Sequence, residues 1–200
     1  DNSVKTAADT LQVVDNGVGL SVLPMLGGLG DDVVELGDTQ MAYLSRTGAF
    51  IDGGSGLDTL KLTGAAQVLD FSALTGVNSK ATLQSVEVID ITGTGNNTLK
   101  LSLDDVLSMS GAVDNATTTG VNESKMLVIN GDAGDVVQLV SGSQWTQTGA
   151  GLSGTTLGAT ATATTAYGAA FNFVGVHTYA QYSYGGANLF LNDNLTISMV

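Results

Sequence analysis

Gly53-Gly54-Ser55-Gly56-Leu57-Asp58-Thr59-Leu60-Lys61-Leu62 joins a glycine-rich turn to a short strand pattern. The pattern is Asp or Asn, then Thr or Val, then Leu or Val, a long polar residue, and Leu or Val. It recurs as Asp9-Thr10-Leu11-Gln12-Val13, Asp32-Val33-Val34-Glu35-Leu36, Asn97-Thr98-Leu99-Lys100-Leu101 and Asp135-Val136-Val137-Gln138-Leu139. Successive side chains of a strand point to opposite faces. Leu11, Val34, Leu60, Leu99 and Val137 are therefore expected to stack in one core ladder, with Val13, Leu36, Leu62, Leu101 and Leu139 beside them. Gln12, Glu35, Lys61, Lys100 and Gln138 point outward. Stacking in chain order makes Glu35–Lys61 a favourable neighbour pair and Lys61–Lys100 an unfavourable one.

Working outward, a second apolar strand precedes each turn: Val22 to Leu26, Ala49 to Asp52, Val86 to Ile91 and Met126 to Asn130. The leading Asp or Asn residues are spaced 23, 26, 39 and 38 residues apart. A constant unit with variable returns predicts an all-β fold, a parallel β-solenoid or β-roll-like stack of turn-linked strands. A β-sandwich is the alternative. One short helix is expected at Ser102 to Met109, where Ser102 caps and Asp104 and Asp105 suit the positive end of the macrodipole.

The turns carry chemistry. Gly27 to Glu35 and Gly53 to Lys61 both match G-G-x-G-x-D-x-U-x, where U is a large apolar residue, a β-roll signature that binds calcium. Glycine permits positive φ, so carbonyl oxygens of Gly27, Leu29, Gly53 and Ser55 can turn toward one ion. Asp32 and Asp58 add carboxylates at the start of the next strand, with Asp31 and Asp52 beside them. The later turns are degenerate. Asn97 replaces the Asp in one, and the other is a residue shorter but offers Asp132 and Asp135.

The formal net charge of −13, with only 6 Lys and Arg, argues against nucleic acid or an anionic membrane as partner. No apolar run is long enough to span a bilayer, so no membrane insertion is expected. The start of the chain does not read as a signal peptide. The absence of cysteine leaves core packing and ions to hold the fold together. Of the 19 acidic residues all but Asp193 precede position 141, whereas Trp145, Tyr167, Phe171, Phe173, Tyr179, Tyr182, Tyr184 and Phe190 follow it. Residues 1–140 are thus read as calcium-binding repeats. Residues 141–200 are read as an aromatic, nearly uncharged antiparallel β-cap packed on them in a single compact domain. Thr155 to Thr165 reads as a loop.

The run Gly53 to Leu60, followed by Ser85-Val86-Glu87-Val88-Ile89-Asp90-Ile91-Thr92-Gly93-Thr94-Gly95-Asn96-Asn97-Thr98-Leu99, resembles modules of giant repeats-in-toxin adhesins of Gram-negative bacteria. Leu103 to Leu107, Asn130 to Asp135, Trp145, Tyr182, Tyr184 and Gly186 extend the resemblance, and residues 150–178 depart from it. The resemblance implies type I secretion, folding outside the cell in calcium, and a place at the cell surface in a fibre that attaches the cell. Its partners would be neighbouring domains of the same adhesin, and the module would be monomeric. A scaffold role is expected, with direct binding of a surface glycan or peptide as the alternative.

A polysaccharide-modifying enzyme is the remote alternative. The lone Arg46 and lone His177 lie near no carboxylate cluster in sequence, and no nucleophile elbow, zinc motif or phosphate loop is present. No catalytic residue is expected.

Overall fold

A computed structural model describes residues 8–12, 24–46, 48–74, 83–109, 126–140, 144–153 and 177–200. Val13, Val22, Leu23, Tyr167, Phe171, Phe173 and the Thr155 to Thr165 tract lie outside them. The chain is mainly β, with parallel sheets. In chain order the strands are β1 (Thr10–Gln12), β2 (Met25–Leu29), β3 (Val33–Leu36), β4 (Ile51–Ser55), β5 (Thr59–Leu62) and β6 (Val68–Asp70). They continue as β7 (Leu83–Gln84), β8 (Val88–Asp90), β9 (Thr98–Leu101), β10 (Met126–Asn130) and β11 (Val136–Leu139). The last are β12 (Thr146–Ser153), β13 (Thr178–Tyr184), β14 (Ala187–Asn192) and β15 (Thr196–Met199).

Three sheets form. The long sheet runs β1-β3-β5-β8-β10-β14-β13-β12, a second runs β15-β11-β9-β6, and a third runs β2-β4-β7. Every pairing among β1 to β11 is parallel, as are β10–β14 and β11–β15. Successive stretches of chain therefore lie in tiers. Alternation sends one face of each strand inward, and the inner residues align in columns. Leu11, Val34, Leu60, Ile89, Ile129 and Leu191 form one column in the long sheet. Leu69, Leu99, Val137 and Ile197 form another in the second sheet. Leu60, Ile89, Leu99, Ile129, Val137 and Leu191 are fully buried. Burial of each such side chain contributes about 1.5–3 kcal/mol.

The single ladder expected from the repeat is thus two. The Asp58 strand stacks on β8, not on the Asn97 strand. The return after Leu62 is the physical reason. It contains β6, which starts a further side of the structure and carries β9 and β11 with it. Glu35 does lie beside Lys61, but the ion pair Lys61 makes is with Asp90 at 3.6 Å. Lys100 pairs with Asp70 at 3.3 Å in the other sheet, so the two lysines never meet. These half-exposed pairs contribute at most about 1 kcal/mol each.

Two further differences concern the turns and the cap. Gly27, Gly28, Gly53 and Gly54 are strand residues of β2 and β4, paired in register with each other. The corner itself is Gly30 to Asp32 and Gly56 to Asp58, where Gly30 and Gly56 have φ of 114° and 144°. Among the described residues the C-terminal part is antiparallel only at β12–β13–β14. β14 and β15 continue the parallel tiers, because Leu189, Leu191 and Ile197 carry on the inward columns.

Helix α1 (Met41–Leu44) was not expected. It buries Tyr43 and Leu44, and the Tyr43 hydroxyl donates to the Phe50 carbonyl and accepts from the Phe50 N–H. Helix α2 (Leu103–Met109) begins where expected. The Ser102 N–H and hydroxyl both donate to the Asp105 carboxylate at 2.7 Å, while Val106 and Met109 are buried. Among the described residues no helix is long and apolar enough to cross a membrane.

Candidate functional site

The turns that lead into β1, β3, β5, β6, β8, β9 and β11 each end on a polar residue placed immediately before the strand, and these residues form two columns. The first is Asp9, Asp32, Asp58 and Glu87. Its carboxylates reach back one tier: Asp32 Oδ1 accepts from the Asp9 N–H at 2.7 Å, Asp58 Oδ1 from the Asp32 N–H at 2.8 Å, and Glu87 Oε2 from the Asp58 N–H at 2.9 Å. Asp32, Asp58 and Glu87 are 1%, 2% and 3% exposed. The second column is Gln67, Asn97 and Asp135. Asn97 Oδ1 accepts from the Gln67 N–H and Asp135 Oδ1 from the Asn97 N–H, both at 2.7 Å. Sequence reasoning placed Asn97 and Asp135 in the same column as Asp58 and missed Gln67 and Glu87. The available signal was a polar residue directly before an apolar alternation, as in Glu87-Val88-Ile89 and Gln67-Val68-Leu69.

Asp58 Oδ2 is buried and has no hydrogen-bond partner. Burial pushes the Asp58 carboxyl up to about 6 from 3.8; the Asp32 N–H works against this, and the charges of Asp32, Asp31 and Asp52 add to it. Asp31 is exposed, and its Oδ1 accepts from the Leu57 N–H of the next tier at 2.9 Å. Asp52 bonds the Gly54 N–H and the Gln84 side chain. The Gly53 carbonyl faces Gly27 of the preceding tier, and the Ser55 carbonyl accepts from the Gly30 N–H at 2.9 Å. Gly27 is buried and Leu29 is 42% exposed. The Ser55 carbonyl is thus engaged between tiers. Among the described residues no three carboxylate or imidazole side chains converge closely enough to hold a metal by themselves.

At the two later turns the Asn97 and Asp135 side chains have hydrogen-bond partners. Asp135 Oδ2 accepts from the Asp132 N–H at 2.7 Å, and Asn97 Nδ2 donates to the Ile91 carbonyl at 2.9 Å. Asp132 is exposed and Asn97 is fully buried.

The Asp58 shift has a signed consequence. Its folded pKa lies above its unfolded value, so the stabilisation from protonation is complete below about pH 4 and lost as pH rises through about 6. In chelator the loss is on the order of 3 kcal/mol. Thermal melts between pH 4 and 7.5 should show Asp58→Asn flattening that part of the decline. An unchanged slope in the variant would dismiss Asp58 as its source.

His177 is exposed, with Nδ1 3.3 Å from Asn192 Nδ2, and Arg46 is exposed on the far side of α1 in sequence. Of the described C-terminal aromatics, Trp145 and Tyr182 are buried in the main core, Tyr179 and Phe190 are buried in a separate cluster with Val88, Met126 and Val128 on the other face of the long sheet, and Tyr184 is half-buried. Trp145 meets Tyr184 edge-on, with centroids 5.6 Å apart and planes at 72°. Comparison with protein-family models, curated proteins and solved structures finds no match.

Proposed function

We propose that the chain is a calcium-stabilised scaffold module of a secreted bacterial cell-surface adhesin, built as a parallel β-solenoid. The observation that carries this reading is the first corner column. Two complete G-G-x-G-x-D turns lie one above the other there, in register, with buried carboxylates at adjacent tiers. Asp58 Oδ2 is an orphaned buried oxygen, and Asp31, Asp32 and Asp52 act on it electrostatically. That donor chemistry fits a hard cation that seeks oxygen. Asp58 Oδ2 would be its buried anionic ligand, and its charge would offset the repulsion that Asp32, Asp31 and Asp52 exert there. Asn97 and Asp135 of the two later turns offer no orphaned buried oxygen, because each of their side-chain oxygens already accepts a backbone N–H.

A scaffold role is supported by the regular tiers and by the resemblance to repeats-in-toxin adhesins. Its partners are neighbouring modules of the same fibre, and it is exported by a type I system and acts outside the cell as a monomer. The buried aromatics of the cap favour a closing role over a platform for sugar or peptide. No catalytic role is assigned.

Calcium at a hundredfold excess over its dissociation constant adds about 2.7 kcal/mol per site. Melting in calcium chloride against chelator should therefore separate the two buffers by several degrees in the parent and by less in Asp58→Asn. Identical melting temperatures for the parent in both buffers would remove calcium from the reading.

A further inference from the structure

We propose that metal dependence is confined to the first corner column, and that the second, Gln67–Asn97–Asp135, joins its tiers by hydrogen bonds alone. Calcium withdrawal then loosens residues 24–62 while residues 126–139 and 187–199 stay folded. The proposal rests on the calcium reading given above and goes beyond it by dividing the chain into two parts.

The two columns have the same geometry and different chemistry. In the first, four successive positions are carboxylates: Asp9, Asp32, Asp58 and Glu87. They follow one another along the stack at about 4.8 Å per tier. Like charges so spaced repel strongly in a low-dielectric interior. The column also holds the unpartnered Asp58 Oδ2. In the second, only Asp135 is ionisable. Its two oxygens take the N–H groups of Asn97 and Asp132. Asn97 accepts from the Gln67 N–H and donates to the Ile91 carbonyl. Gln67 accepts from the Gly64 N–H at 2.8 Å and donates to the Leu36 carbonyl at 3.2 Å. Asn97 and Gln67 are uncharged amides, each supplying a donor and an acceptor. Nothing in this column calls for a cation. Stacked architectures gain stability from each unit and its neighbours, so one end can open while the other holds.

Hydrogen–deuterium exchange of the whole chain, in calcium chloride and in chelator, tests the division. Chelation should speed exchange about tenfold or more in β2 to β5 and leave β11 and β15 within about twofold. Asn97→Ala should speed exchange in β9 and β11 to the same extent in both buffers. Chelation that speeds exchange equally along the whole chain overturns the division and leaves the calcium reading standing. Exchange unchanged by chelation in every segment overturns both. An Asn97→Ala effect that appears only in chelator also overturns the division.

Discussion

Asp135→Ala is expected to cost about 2–6 kcal/mol, read from the urea midpoint. Asp135 is 1% exposed, and its two oxygens each accept a backbone N–H at 2.7 Å, from Asn97 one tier away and from Asp132 in its own turn. Truncation leaves both donors short of an acceptor, at about 1–3 kcal/mol each. Asp135→Asn keeps one acceptor oxygen and turns the other into a donor that faces an N–H, so it should recover only part of the loss. The same order should hold in calcium and in chelator. An alanine variant within about 0.5 kcal/mol of the parent, the range of neutral surface changes, would mean that this column does not join the tiers.

Gly53→Ala is the other large effect, expected at about 3 kcal/mol or more. A methyl group there would collide with the Ser85 carbonyl oxygen of the next tier and with the Asp58 side chain. One obstacle is backbone and the other a buried side chain, so neither yields cheaply, and overpacking of this kind costs about 1–3 kcal/mol before any hydrogen bond is lost. Shifting Asp58 would also strain its bond to the Asp32 N–H. Gly48 provides the comparison, with φ of 86° and no atom within 4 Å of an added methyl. Gly48→Ala should cost only about 1 kcal/mol, the conformational term alone. Equal midpoints for the two variants would show that close approach between tiers is not what requires glycine at position 53.

The inward residues were legible because a strand has a period of two, and Leu60, Leu62, Leu99 and Leu101 alternate without interruption. Parallel stacking followed from the recurrence of one unit. The column in which a strand stacks was not legible, since Asp58-Thr59-Leu60-Lys61-Leu62 and Asn97-Thr98-Leu99-Lys100-Leu101 are nearly the same locally. Their separation depends on β6, whose Val68-Leu69-Asp70 is too short to stand out. Glu87 escaped notice because it sits inside an apolar run rather than after a glycine turn. The buried state of the corner carboxylates depends on neighbouring tiers, and no single stretch of sequence contains that information.

The placement of β14 bears on how the chain reaches this arrangement. β14 lies between β10 and β13, and its register joins Val128 to Phe190 across the whole excursion that includes β12 and β13. Earlier tiers close over shorter separations, such as Val34 to Leu60. Loop closure costs more entropy as the loop lengthens, and distant contacts form late. A chain emerging from its N-terminal end is therefore expected to assemble the tiers up to β11 in order, then pause with β10 unpaired on one edge. Only when residues 187–199 arrive does that edge close, which makes the interval before their arrival the period of greatest exposure to wrong pairing with another emerging chain.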